Sequence, residues 1–334
     1  RTNGERIPQM VMHCSPQFNK QYSELVNAKV ELPCKRCISN LSSIEKAEWI
    51  QSMSLERLIA KGKRIEAYLD SYRGDWESVC FITLARALGF GTNSDPFERL
   101  AKSLPLSMMH KHSDSIFQLE ALLFGQAGLL DEPQKGTGDR YYEQLCKEYS
   151  FLKSKYSLRQ PEGMVWKAFR MRPQNFPWRR IALLAHYVEN GFRLFSDILD
   201  SNGDEDSLRK LFQVNLTGYW NNHYTFFRES EESSAALGKS SIDIILINMV
   251  APLYYIYGSH VGDYDKVQTA IDLLEKLKPE SNRIVGLFTS AGMKIDSALA
   301  SQATIQIYNE YCIPKKCIFC KIGRKLLREA NVKQ

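Results

Sequence analysis

The chain has 334 residues, 44% hydrophobic and 25% charged, with a formal net charge of +6. That length can bury one large core or two ordinary ones, and the composition excludes a disordered protein. The modest positive surplus permits an acidic partner without demanding one, so the placement of the charge matters more than its sum.

The opening residues, Arg1-Thr2-Asn3-Gly4, include no initiator Met and no charged-then-apolar leader, so the expectation is a fragment of a longer protein. Ile7 to His13 reads as a strand, with β-branched residues after a proline that suits an edge. It is expected to be the tail, residues 1–13, of an N-terminal β-rich domain missing from this chain. Pro16 then begins a helix with Phe18, Tyr22, Leu25 and Val26 on one face, and the Pro33-Cys34-Lys35-Arg36-Cys37 turn follows.

From Ser42 the pattern is helical almost throughout. Ser42 and Glu45 have capping-box spacing, and Trp49, Met53, Leu55, Leu58 and Ile59 carry the helix on towards Tyr72. Asp95-Pro96-Phe97-Glu98 has the form of an N-cap, a first-turn proline and an acidic third position. Ser115 to Leu130 is nearly all apolar and therefore central, and Asp131 to Gly138 is the clearest loop. Tyr142, Leu145, Cys146, Tyr149, Leu152 and Tyr156 mark an amphipathic helix. A second polar break runs from Glu229 to Ser234. Beyond it, the apolar run Ile242 to Tyr257 holds Asn248 and Pro252 and is too short to span a bilayer, which favours a core helix over a membrane partner. Strand signals are nearly absent. The fold class expected is mainly α, a multi-helical, bundle-like body (residues 14–334) with a short β remnant at its N-terminus.

Eight cysteines could suggest disulfides, but CxxC spacing in a large helical chain favours metal or redox use and a reduced, cytoplasmic setting. Cys312, Cys317 and Cys320 form a C-x4-C-x2-C run, and Cys34 and Cys37 form a CxxC pair almost a chain length away. Zinc takes four thiolates in a tetrahedron, and five cysteines compete for those places. Cys34, Cys37, Cys317 and Cys320 would make a two-knuckle site. Cys34 with Cys312, Cys317 and Cys320 would make a one-plus-three set, suited to zinc or to an iron–sulfur cluster. The plain alternative is two separate groups of reduced thiols. If one metal is shared, the helical body is closed by its N- and C-terminal cysteine segments, in a structural role.

Trp166 to Arg180 holds five cations and four aromatic rings, and no acidic residue occurs between Glu162 and Glu189. Arginines fork onto phosphates and rings stack on bases. Arg170, Arg172, Arg179 and Arg180 are therefore candidates for holding phosphate, with Asn175 and Phe176 positioning or stacking. The structural alternative pairs these arginines with carboxylates such as Glu120 or Glu143 and buries the rings. Lys315, Lys316, Lys321, Arg324, Lys325 and Arg328 add a second basic surface beside the cysteines. His223, among Tyr219, Trp220 and Tyr224, is a candidate base in an aromatic pocket, although a packed histidine explains the same pattern.

Three strings suggest a relationship. They are Gln118 to Leu130 (QLEALLFGQAGLL), Phe169 to Pro177 (FRMRPQNFP), and Asn309-Glu310-Tyr311-Cys312 with Cys317 and Cys320. Together, over essentially the whole chain, the sequence resembles a bacterial family, domain of unknown function 2851. The resemblance implies a longer N-terminus with a β-rich segment loosely like restriction-nuclease folds, and a cysteine set of Cys34, Cys312, Cys317 and Cys320 with Cys37 extra. The expected function is then a nucleic-acid-binding helical body of a larger nuclease-like protein with a structural zinc or iron–sulfur site. Its partners would be nucleic acid and its own N-terminal domain. A non-catalytic scaffold or interaction module is a second expectation. A small-molecule enzyme with a pocket around His223 and the Arg-rich segment is a third.

Overall fold

A computed structural model describes residues 15–130, 138–189, 191–231 and 237–332. The strand expected at Ile7 to His13, and with it the 1–13 segment, lies outside the described residues, as does most of the loop expected from Asp131. Within the described residues the fold is mainly α.

The helices start where local chemistry offers a cap. α1 (Pro16–Asn27) follows Ser15, whose hydroxyl accepts the Phe18 N–H. After the short α2 (Lys35–Ser39), the long α3 (Ser43–Ser71) begins on the expected capping box. Glu45 Oε2 accepts from both the N–H and the hydroxyl of Ser42, and the Glu45 N–H returns to Ser42 Oγ. α4 (Trp76–Leu88) is capped by Asp75.

α5 (Ser94–Ser103) starts before the cap expected at Asp95. Asp95 instead meets Arg86 at 2.7 Å, and Pro96 fits the first turn because N–H groups there have no intrahelical partner. α6 (Leu106–Met109), α7 (Ile116–Gln126), α8 (Arg140–Tyr156), α9 (Pro177–Val188), α10 (Leu194–Asp200) and α11 (Glu205–Leu211) follow. α9 opens on Pro177, a position whose missing N–H costs nothing.

A small antiparallel hairpin, β1 (His223–Thr225) and β2 (Arg228–Glu229), then stands where no strand was expected. Its turn forces Phe227 to φ 66, a conformation that side chains other than glycine rarely adopt. Phe226 beneath it is buried against Phe124, Tyr142 and Trp220, and that aromatic burial holds the turn.

α12 (Lys239–Ile245) passes through a π turn, Leu246–Val250, into α13 (Ala251–Val261). Pro252 has no N–H to offer the preceding turn, which accounts for the local widening. The continuous helix Lys239–Val261 is longer than the apolar run suggested, and by length and composition alone it could cross a membrane. Its most apolar window is 67% buried inside the protein, so packing already uses that surface. α14 (Tyr264–Lys276), α15 (Arg283–Thr289), α16 (Ala298–Ile307) and α17 (Lys321–Val332) complete the chain.

These elements form two compact units. The first joins residues up to Arg57 with those from Lys278 onward, and its core gathers Ile38, Leu41, Trp49, Phe288, Met293, Ile307, Tyr308 and Ile322. The second is Leu58–Leu277, with a core that includes Phe81, Phe97, Leu122, Phe124, Leu184, Trp220 and Tyr254. The division falls within α3.

In the second unit α7 crosses α8 closely at Gly125. A Cβ there would meet the Tyr149 ring at 2.1–2.3 Å, and the Gly125 carbonyl accepts from Gln160 Nε2 at 2.7 Å. Gly125→Ala is expected to destabilise the protein by about 1–3 kcal/mol, because overpacking outweighs the helix propensity of alanine. A lowered urea midpoint checks this, and an unchanged midpoint would show that the two helices can part without cost.

Candidate functional site

Cys34 caps the N-terminus of α2, while α16 runs through a π turn, Tyr308–Cys312, that ends on Cys312. The tight turns between Cys312 and Cys320 then bring Cys317 and Cys320 back, the latter just ahead of α17. All four sulfur-bearing residues line one cavity of about 20 Å³, together with Leu25, Pro33, Tyr311, Lys315 and Gly323. Space of that size takes one water-sized body. Cys37 does not line it; this residue is buried in the core of the first unit, beside Ile38 and Leu41. The structure therefore brings together the one-plus-three set rather than the two CxxC pairs.

Gly323 is required by this geometry. A Cβ on it would stand 2.0 Å from the Cys317 carbonyl oxygen, so only glycine lets α17 begin so close to the knuckle. Burial pushes the Cys320 thiol up, while the Ile322 and Gly323 N–H groups beside its sulfur and the charge of Arg324 act in the opposite direction. Backbone N–H donors of this kind favour the thiolate form of a sulfur.

Burial, and then the neighbouring thiols, push Cys34 far above the ordinary thiol range and Cys312 up to about 12. Lys315, at the cavity wall, acts in the opposite direction on Cys312 and Cys317. Four thiols in mutual range thus hold their protons unless a cation replaces them. Among the described residues no group of three or more His, Cys, Asp or Glu stands ready to hold an ion. The sulfurs share a cavity, and ligation would require their side chains to contract onto its centre. The donor set and the cavity size suit a single thiolate-bound ion.

The basic segment, in the second unit, divides into an interior and an exposed part. Arg179 and Arg180 are only 2% and 4% exposed, so they do not present the phosphate-facing surface expected of them. Arg179 lies over the Tyr224 ring at 4.9 Å, and Arg180 lies over Phe90 at the same distance. Arg180 donates to Asn175 Oδ1 at 2.5 Å, which makes Asn175 an internal brace. Burial lowers the Arg180 pKa to about 10, and no ion pair joins it to a carboxylate among the described residues. Glu120, the carboxylate considered as an arginine partner, takes its hydrogen bonds elsewhere.

Arg170, Arg172 and Phe169 are exposed, and Phe176 is half-buried. Phe169 is 83% exposed, with the Arg170 guanidinium 5.2 Å from its ring centre. Arg170 itself sits at φ 60, a strained value for a residue with a side chain. The segment is anchored behind this turn by Asn93, which the sequence did not single out. Its amide donates to the Lys167 carbonyl at 2.8 Å and accepts the Lys167 N–H at 2.9 Å, as a strand partner would. Trp166 Nε1 donates to the Ala127 carbonyl at 2.8 Å.

His223 is used by packing. Its ring stacks on Tyr219 at 3.8 Å, and Nδ1 lies 2.9 Å from both the Tyr219 carbonyl and Asn222 Oδ1. The more unusual group in the second unit is Glu120, the one charged residue of a mostly apolar helix and only 2% exposed. It accepts from the Tyr141 hydroxyl at 2.5 Å and from Trp220 Nε1 at 3.0 Å. Burial nevertheless raises its pKa from 4.5 to about 7.

Between about pH 4.5 and pH 7 the folded chain therefore binds a proton at Glu120 that the unfolded chain has released. This contribution to stability is present below the window, falls as pH rises through it and levels off above, by about 3 kcal/mol in all. Glu120→Gln keeps an acceptor for Tyr141 and Trp220 and is expected to flatten that slope. Urea unfolding from about pH 5 to about pH 8 measures it. A variant as pH-sensitive as the parent would place the titration elsewhere.

No curated protein and no solved structure matches the chain. The family model described as "Protein of unknown function (DUF2851)" matches residues 1–283. The match takes in Cys34, the Gln118 to Leu130 string and the basic segment, but ends before Cys312, so it is shorter than the essentially full-length resemblance suggested by the sequence. On that match the chain belongs to the DUF2851 family.

Proposed function

We propose that this chain is a nucleic-acid-binding helical protein whose first unit is closed by a structural metal centre at Cys34, Cys312, Cys317 and Cys320. The observation that carries this reading is the meeting of four thiols, from two distant stretches of sequence, around one ion-sized cavity. Zinc is the ion such a donor set suits. It is tetrahedral, takes four thiolates, and needs no more room than a cavity of about 20 Å³ offers, whereas a cubane cluster needs more. An all-thiolate set leaves no open position for a reacting water, so the centre supplies folding energy rather than chemistry. Lys315 and Arg324 beside the cavity offset the negative charge that four thiolates bring to one cation.

Nucleic-acid binding is supported by the exposed turn of the basic segment. An aromatic ring left in solvent and an adjoining guanidinium are the pieces that stack on a base and hold its phosphate. In this reading Arg170 and Arg172 contact the backbone and Phe169 stacks. Asn175, Phe176, Arg179 and Arg180 hold the turn in place from behind.

Metal and labile-sulfide analysis of the purified chain, with an ultraviolet–visible spectrum, tests the centre. One zinc per chain without labile sulfide is expected. Iron with sulfide would replace zinc by a cluster, and metal-free protein with freely alkylated thiols would remove the centre altogether. For the second part, an Arg170→Ala/Arg172→Ala double variant is expected to bind single-stranded oligonucleotide more weakly with its thermal unfolding unchanged. Each lost phosphate contact should lower the salt slope by about 0.7. Binding indifferent to both salt and these substitutions would dispose of the nucleic-acid role.

A further inference from the structure

α17 carries Lys321, Arg324, Lys325 and Arg328 at a spacing of three, one and three, which places them along one side of the helix. Its other side is apolar: Ile322 and Leu327 are buried, and Ile322 belongs to the core of the first unit. A basic stripe of this kind is ordinarily a solvated face. Here it borders a cleft of about 260 Å³ whose other wall is formed by Leu41 and Glu45.

The lining has four cations and one carboxylate among its described residues, and that carboxylate is already engaged. Glu45 Oε2 holds the Ser42 N–H and hydroxyl, while Oε1 meets Lys325 Nζ at 2.5 Å. Lys321 is paired with Glu48 at 2.7 Å. Arg324 and Arg328 make no ion pair with a described residue, and both are exposed to the cleft's solvent. Two guanidinium forks one helical turn apart, on a concave wall with no free acid to satisfy them, provide paired donors for a tetrahedral oxyanion. The two lysines add charge from positions fixed by their own partners.

We infer that this cleft is a phosphate-binding site, taking the group either free or within a phosphodiester backbone, with Arg324 and Arg328 as its direct donors. Leu41 and Ile322, both buried, add apolar surface to the lining. The site lies in the first unit, on residues other than those of the Phe169 to Arg172 surface, and of its two direct donors only Arg324 also acts on the thiol centre, through Cys320.

Isothermal titration of the full chain at low ionic strength, first with inorganic phosphate and then with a short single-stranded oligonucleotide, tests it. The parent should bind at least one probe, and Arg324→Gln/Arg328→Gln should weaken that binding by on the order of tenfold or more. An effect on phosphate alone identifies a free ligand, and an effect on the oligonucleotide identifies a backbone contact. An Arg170→Ala/Arg172→Ala background separates this site from the exposed turn. If the double variant fails to fold, Arg328→Gln alone, at the outer end of the stripe, serves in its place. A parent that binds neither probe, or a folded variant that binds both as the parent does, overturns the inference.

Discussion

The meeting of Cys34 with Cys312, Cys317 and Cys320 is the constraint on which the first unit depends. Hydrophobic burial alone can bring α2, α3, α15, α16 and α17 together, since Ile38, Trp49, Phe288, Ile307 and Ile322 form a continuous core. Burial is not directional, however, and does not fix where a chain end lies. The knuckle does so through local geometry. The π turn delivers Cys312, Gly323 lets the backbone of Cys317 approach α17, and the first N–H groups of that helix turn towards Cys320. Each device has a cost of its own, and together they converge on one small space.

The second unit solves a different problem, the placing of charge in an apolar interior. Arg180 is buried with no ion pair to a carboxylate among the described residues, and Arg179 is buried beside it. Aromatic faces meet both guanidinium groups, and the Asn175 amide meets Arg180. Glu120 is buried as well, and it is met by a phenol and an indole rather than by a cation. The exposed Arg170 and Arg172 make no ion pair with a described residue. Asn93, by pairing with the backbone of Lys167, anchors the segment ahead of the turn that bears them.

Much of the helical framework was legible in the sequence because caps are local. Ser42 with Glu45 marks the start of α3 within one turn of chain, and the apolar stripe from Tyr142 to Leu152 defines the buried face of α8. The misses involve partners beyond the reach of a single helical turn. Asp95 looks like a cap until Arg86 is found beside it. Arg179 and Arg180 read as surface cations because Phe90 and Tyr224, the rings that admit them to the interior, lie far along the chain. The hairpin at residues 223–229 has no alternating pattern and exists because Phe226 is drawn into a cluster of rings. The cysteine spacing narrowed the site to five residues, and only the fold of α2 separates Cys34 from Cys37. Glu120 did leave a signal, as a lone acid in a nearly all-apolar helix, but its meaning depended on Tyr141 and Trp220.

The first unit is discontinuous in sequence, built from residues up to 57 and from 278 onward. During synthesis its leading half must therefore wait, with Trp49, Ile38 and the Cys34 thiol lacking their partners, until the trailing half has left the ribosome. The intervening unit, continuous in sequence, has no such delay and can fold first. Between those two events the leading half carries an unfinished apolar surface, and residues from 278 onward are what complete the first unit.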